Sequence, residues 1–244
     1  MCGRFTLTRR DLSSLASSLE AELPPGPHGP AYRARYNIAP TDQHWIARQK
    51  QERRELLPAK WGLVNSWSKD AKGAFKQINA RSETALTSRA FRSAFLERRC
   101  VVPADGFYEW IGSKQARRPI WFHPPADDLL LFAGLYESWL DPQTTTWLRS
   151  FTILTTSAND VVAPVHNRMP VILSPGRIEE WLFVPAQNKQ SQAEKLLPLL
   201  GPAASGVLVA MEVSSRANSV ANDDPECLTP AAAAAPEVTS PRLL

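Results

Sequence analysis

Cysteine stands second in this chain, in the run Met1-Cys2-Gly3-Arg4-Phe5. Removal of Met1 would leave it with a free α-amine and a thiol on neighbouring carbons, a pair that no internal residue offers. The amine can condense with an aldehyde to an imine. The thiol can then close onto the imine carbon and give a five-membered thiazolidine. Ordinary pKa values of about 8 for the amine and about 8.5 for the thiol leave both partly nucleophilic near neutral pH. A cysteine is also a small hydrophobe that is most often just buried, so position two alone decides nothing.

Three further patches carry residues able to do chemistry: Asn79-Ala80-Arg81-Ser82-Glu83-Thr84, Gly106-Phe107-Tyr108-Glu109-Trp110 and His166-Asn167-Arg168-Met169-Pro170. Each residue also has an ordinary reading. Asn79 suits a cap or turn. Glu109, between aromatics near a strand end, is either an exposed alternate residue or a buried carboxyl with the raised pKa of a general acid. His166 is structural or a proton-transfer group. Arg81 and Arg168 are surface charges or bidentate phosphate ligands.

The elements that position these groups read as follows. Thr8 to Asp11 resembles a helix cap, with Leu12, Leu15, Ala16 and Leu19 at helical spacing. Residues 23–30 hold four prolines and two glycines and form a loop. Strands are predicted at 44–47, 58–63, 99–104, 107–110, 120–122, 129–134, 147–156, 169–173 and 206–213. Arg48 to Glu55 reads as a charged hairpin or loop, Asp105-Gly106 as a turn, and Lys114 to Arg118 as a basic turn. A helical face falls between Thr87 and Arg98, a helix starts at Ser174-Pro175, and another runs over 190–200. Short strands with a few helices and no regular βαβ alternation predict an α+β fold. The expectation is a single domain on a largely antiparallel, barrel-like β core with short flanking helices. The domain is expected over residues 1–228, with an Ala/Pro-rich disordered tail over 229–244.

Composition narrows the class. The 244 residues allow a large core. The three cysteines, Cys2, Cys100 and Cys227, are odd in number and widely spaced, which suggests neither a disulfide framework nor a zinc site. No cofactor and no metal are expected. No apolar run is long enough for a signal peptide or a membrane span. The expected protein is soluble, monomeric and cytoplasmic, nucleoid-associated if bacterial, with no membrane partner. A net charge of +4 permits an anionic partner without requiring one. Eight tryptophans are many for this length, and an exposed one near arginines suits stacking on unpaired bases.

Taken together, Cys-Gly-Arg-Phe at 2–5, Tyr-Asn-Ile-Ala-Pro-Thr at 36–41, Lys-Trp-Gly-Leu-Val at 60–64 with Ser66-Trp67, Asn-Ala-Arg-Ser-Glu-Thr at 79–84, Cys-Val-Val-Pro-Ala-Asp-Gly-Phe-Tyr-Glu-Trp at 100–110 and His-Asn-Arg-Met-Pro at 166–170 resemble the SRAP (SOS response-associated peptidase) family. The resemblance runs from Cys2 to about Leu228, and six motifs in order make it specific. It implies a shield for abasic sites in single-stranded DNA, part of the DNA damage response. After loss of Met1, Cys2 would trap the ring-opened sugar as a thiazolidine DNA–protein crosslink. On the same resemblance Asn79 would orient the amino terminus and the opened sugar, and Glu109 would donate and accept protons. His166 would assist at the imine stage and contact a phosphate. Arg4, Arg81, Thr155 and Arg168 would hold the DNA backbone, and Trp67 would stack beside the lesion. Self-removal of Met1 and an AP-lyase-type activity are also implied.

The chain departs from the family pattern in places. Asn65 stands where relatives commonly have proline, Ser68 replaces a second aromatic after Trp67, and Ser215-Arg216-Ala217-Asn218 replaces Arg-Val-Asn. None of these is expected to touch the chemistry. Two rival readings stay open. Cys2, His166 and Asn79 could serve as nucleophile, base and orienter of a thiol hydrolase or peptidase. Otherwise the chain is a non-covalent single-stranded DNA binder in which Cys2 is incidental.

Overall fold

The computed structural model describes residues 2–23, 32–113 and 115–231. In chain order these form strands β1 (Arg4–Leu7), β2 (Ala21–Glu22), β3 (Arg35–Ile38), β4 (Gln43–Lys50), β5 (Arg53–Trp61), β6 (Asn79–Arg81), β7 (Arg99–Ala104), β8 (Gly106–Ile111), β9 (Arg118–His123), β10 (Leu130–Leu140), β11 (Trp147–Ser157), β12 (Arg168–Pro170), β13 (Ile172–Leu173) and β14 (Val209–Glu212). The helices are short: α1 (Leu12–Ser18), α2 (Ser82–Ala85), α3 (Arg92–Glu97), α4 (Ile178–Leu182) and α5 (Lys189–Lys195).

Five strands close a ring in the order β5, β4, β7, β10, β11. All its seams are antiparallel except the last, where β11 meets β5 in parallel at Ser150↔Lys60 and Phe151↔Trp61. Closure removes the exposed edges that an open sheet would present. A second sheet, ordered β14-β9-β8-β1-β3, lies against the ring. Its inward residues enter the ring's core: Phe5 meets Trp61 edge-on at 5.0 Å and Phe132 at 6.1 Å, and Phe107 meets Phe132 at 6.1 Å. All four rings are fully buried. Burial of an aromatic of this size contributes on the order of 2–3 kcal/mol, so β1 is anchored by its third residue inward from Cys2. The expected α+β single domain on a barrel-like core is the architecture found.

One joint links the two sheets. Asp105 is the single residue between β7 of the ring and β8 of the second sheet. Its carboxylate accepts from Thr6 Oγ1 (2.5 Å), from Thr8 Oγ1 (2.7 Å) and from the Thr8 backbone N–H. Asp105-Gly106 is therefore no turn; the strand runs on and changes sheets. Gly106 is required there because a Cβ would lie 2.0 Å from Trp121 Nε1. Gly106→Ala is expected to cost about 1–3 kcal/mol, as overpacking does, read as a lower midpoint in urea unfolding with an unchanged slope. Thr8, committed to Asp105, does not cap α1. Asp11 does, accepting from Ser13 N–H (3.2 Å) and Ser14 N–H (2.7 Å).

Other expectations shift for local reasons. Arg48 to Glu55 is a hairpin whose bend falls at Gln51, with φ 55°. The strand predicted at 129–134 runs on to Leu140, and Glu137 in the added stretch is buried and paired with Arg98 at 2.7 Å. The 190–200 helix ends at Lys195 and passes into a 3₁₀ turn at Leu197–Leu200, where Pro198 supplies no N–H. Ser174 makes no capping bond, and its Pro175 opens a 3₁₀ turn before α4. Val171 separates β12 from β13, and the late strand shortens to β14. Val213 bridges Pro230 and Ala231 N–H donates to Glu212 (3.0 Å), so the ordered chain passes the predicted boundary at 228. The predicted loop at 24–30, Lys114 and the tail from 232 lie outside the described residues.

Candidate functional site

The register of β1 against β8 pairs Arg4 with Tyr108, Phe5 with Phe107 and Thr6 with Gly106. One step further along the same ladder sets Gly3 across from Glu109. Strand alternation puts Glu109 on the face of Phe107, toward the core, and its relative exposure is 5%. Cys2, just ahead of β1, is fully buried in the same core cluster. β6 comes in from the ring through its parallel pairing with β11, Asn79 opposite Ile153 and Arg81 opposite Thr155. Asn79 Nδ2 donates to the Cys2 carbonyl at 2.7 Å. Its Oδ1 is buried and has no hydrogen-bond partner among the described residues.

Electrostatics tie the pieces together. Burial raises the Glu109 carboxyl to about 7, opposed by the positive charge of the amino terminus. Burial also pushes the Cys2 thiol well up, and the nearby Glu109 carboxylate adds to the rise. The thiol makes a weak 3.7 Å bond to the Arg4 carbonyl. His166 is lowered, first by burial and then by the amino-terminal charge. Its Nδ1 lies against the Arg168 backbone, 3.0 Å from the N–H and 3.2 Å from the carbonyl, so the protein fixes the ring's orientation through that nitrogen. The geometry thus gathers Cys2, Asn79 and Glu109, and the same amino-terminal charge acts on Glu109 and His166.

The residues expected to grip a strand occupy varied settings. Arg4 is half-buried and stacks over Trp110 at 5.5 Å. Its guanidinium donates to Asn37 Oδ1 (2.8 Å), the Ala217 carbonyl (3.0 Å) and the Asn218 carbonyl (3.5 Å). The departing segment at 215–218 therefore does bear on the site, because it holds Arg4. Arg81 is exposed at the end of β6. Thr155 has no exposed surface; its hydroxyl faces the Ala80 carbonyl (3.5 Å) and accepts from Arg168 (3.4 Å), so any part it plays runs through that arginine. Arg168 is bound in two-pronged fashion to Glu83. Trp67 is 61% exposed, with the Arg89 guanidinium 5.5 Å over its ring.

The Trp67 loop is braced by its own departures: Asn65 Nδ2 donates to Gln77 Oε1 (3.0 Å) and Trp139 Nε1 to the Ser68 carbonyl (2.8 Å). Sequence reasoning missed Phe75 on the same excursion between β5 and β6. It is 57% exposed, with Lys76 Nζ 5.6 Å over its ring. An aromatic beside Lys72 and Lys76 was the available signal. It also missed Trp110, whose Nε1 donates to Asn218 Oδ1 at 2.8 Å. No helix among the described residues is long and apolar enough to cross a membrane.

Comparison with known proteins gives the family. The model of the SOS response associated peptidase (SRAP) family matches residues 1–220. The abasic site processing protein YoqW of Bacillus subtilis is 36% identical over 230 residues, which cover 93% of this chain and 99% of that one. HMCES of Gallus gallus, also named an abasic site processing protein, is 34% identical over 231 residues, 82% of this chain and 67% of its own. A crystal structure of a protein from Bacteroides thetaiotaomicron shares the fold with a TM-score of 0.80 at 21% identity, covering 95% of this chain and all of that one. The chain belongs to the SRAP family.

Proposed function

We propose that this protein processes abasic sites, capturing the lesion in single-stranded DNA as a covalent thiazolidine on Cys2 once Met1 is removed. One observation carries the reading. The second residue of the chain is a cysteine held in the core between the Asn79 amide and a buried carboxyl whose pKa burial lifts to about 7. The names of the relatives supply the substrate class.

The chemistry assigns one role to each group. A closed abasic sugar opens as protonated Glu109 gives a proton to the ring oxygen, the C–O bond breaks, and the resulting carboxylate takes up the proton that the anomeric hydroxyl releases in becoming the aldehyde, which restores the acid. The Cys2 amine adds to the aldehyde, and the carbinolamine loses water as Glu109 protonates the departing hydroxyl and its carboxylate then takes the proton from nitrogen, leaving the neutral imine. Sγ then adds to the imine carbon while its proton passes to nitrogen, so aldehyde, amine and thiol become thiazolidine and water. A buried pocket that holds both nucleophiles at reacting distance favours capture over hydrolysis. Asn79 Oδ1 has the acceptor capacity to hold the new amine or a sugar hydroxyl. His166, its Nδ1 held by the Arg168 backbone, suits a phosphate or the departing water. Arg4, Arg81 and Arg168 suit the backbone, and Trp67 and Phe75 suit unpaired bases.

The thiol-hydrolase reading fits less well. A hydrolytic cysteine works as a thiolate, whereas burial and the Glu109 carboxylate push the Cys2 thiol up, and the Asn79 amide is spent on the Cys2 carbonyl.

The test is a denaturing gel of the Met1-processed protein with a single-stranded oligonucleotide bearing one abasic site. A shifted band that survives denaturant without any reductant is expected. Peptide cleavage with no such band would establish the hydrolase instead, and salt-sensitive retention without a covalent product the plain binder. In the same assay Asn79→Ala should slow band formation roughly 10- to 100-fold, the worth of one or two hydrogen bonds at a reacting group. An unchanged rate would reduce Asn79 to a structural cap.

A further inference from the structure

The strand-gripping arginines carry an anion of their own. Glu83 lies in the first turn of α2, two residues past Arg81. Arg168 reaches it from β12 across β11: Nη1 to Oε1 at 2.6 Å and Nη2 to Oε2 at 2.8 Å. Arg168 Nη2 also donates to the Thr155 carbonyl at 2.5 Å. The arginine side chain is 15% exposed and the glutamate 50%. Two parallel N–H···O bonds are the geometry in which a guanidinium also holds a phosphate. The carboxylate is held below the usual range, foremost by the Arg168 hydrogen bonds and further by the charge of Arg81. One carboxylate thus faces both of these cations, and it is the more exposed member of its pair.

We propose that Glu83 is a specificity-determining residue that occupies Arg168 in the place of a backbone phosphate. This rests on the reading of the site as a single-stranded DNA site. Strand binding then exchanges one anion for another at Arg168 and gains little net charge neutralisation there. The grip on intact DNA is tempered, so that covalent capture at Cys2, rather than charge, selects the lesion. Glu83 acts through Arg168 and touches no reacting atom.

The test uses the full-length protein and a fluorescein-labelled oligothymidylate without an abasic site, titrated by anisotropy at several salt concentrations. Glu83→Gln keeps the side chain's shape and one acceptor. It should tighten binding about three- to tenfold, the range of an exposed to well-formed ion pair. The slope of log K against log salt should steepen by about 0.7, one more phosphate neutralised on a single strand. In an Arg168→Gln background the same substitution should change neither quantity. Weaker binding, or an unchanged slope, would make Glu83 a strut for Arg168 and overturn the proposal. A gain that persists without Arg168 would also overturn it, since the effect would then be diffuse charge. Wild type that fails to retain the strand at any salt would overturn the DNA reading and this proposal together, whereas wild-type retention with no gain in the variant overturns Glu83 alone.

Discussion

Cys2→Ala is expected to abolish the denaturant-resistant band, a loss of at least about 100-fold in crosslink yield by the arithmetic of losing the bond-forming step. The amine survives in this variant, so an imine can still form, but imines hydrolyse and nothing closes the ring. Borohydride added during the reaction should therefore rescue a band for Cys2→Ala, which separates loss of the thiol from loss of folding. A second variant tests the amine. A glycine inserted ahead of Cys2 leaves the thiol in place but turns its nitrogen into an amide, so the thiazolidine cannot close and the band without reductant should be lost, while any imine on the new glycine amine needs borohydride to survive. If the extended protein still gives the full band without reductant, the amine is not a reacting group and thiazolidine is the wrong product.

Glu109→Gln carries the second large effect. Gln keeps the volume and a hydrogen-bonding end but cannot deliver a proton. Loss of a general acid typically costs about 10²- to 10⁴-fold, and crosslink formation should slow by that order with little change in affinity for intact strand. The pH profile makes the role specific. With a carboxyl near 7 the wild-type rate should fall as pH rises through about 7, while the amine gains nucleophilicity toward about 8. The two limbs give a maximum near neutrality, and the fall above about pH 7 should vanish in Glu109→Gln. Stability has the same origin. A carboxyl raised by folding contributes stability that is full below its unfolded pKa and is lost as pH rises through its folded value. Wild type should therefore lose stability between about pH 4.5 and 7 relative to Glu109→Gln, measured by urea unfolding at each pH. A variant that merely loses DNA affinity at all pH values would show Glu109 to be structural.

What could be read from the chain follows from how local each signal is. Cys2, Asn79, Glu109 and His166 stand in short motifs whose order and residue types carry the family likeness. The period-two strands and the absence of βαβ alternation also reach the α+β class unaided, because side-chain alternation is a property of the strand alone. Asp105-Gly106 looks like a turn by its residue types, yet Gly106 is there to clear the Trp121 indole, and that indole comes from another strand. Thr8 looks like a cap until Asp105 claims it. The strand predicted to end at Gly134 runs on to Leu140, with Glu137 paired to Arg98 in the interior.

The sequence by itself placed a cysteine second in the chain, where removal of Met1 would make it an amino terminus, and supplied a carboxamide, a carboxyl and an imidazole in motifs elsewhere. Only the tertiary structure decided that β1 draws Cys2 into the core, that β6 and β8 set Asn79 and Glu109 there with it, and that Glu83 meets Arg168. The reason is physical. A pKa near 7 comes from burial, and a bidentate pair comes from two strands and a helix turn meeting across 85 residues of chain. Neither quantity exists until the ring of strands has closed.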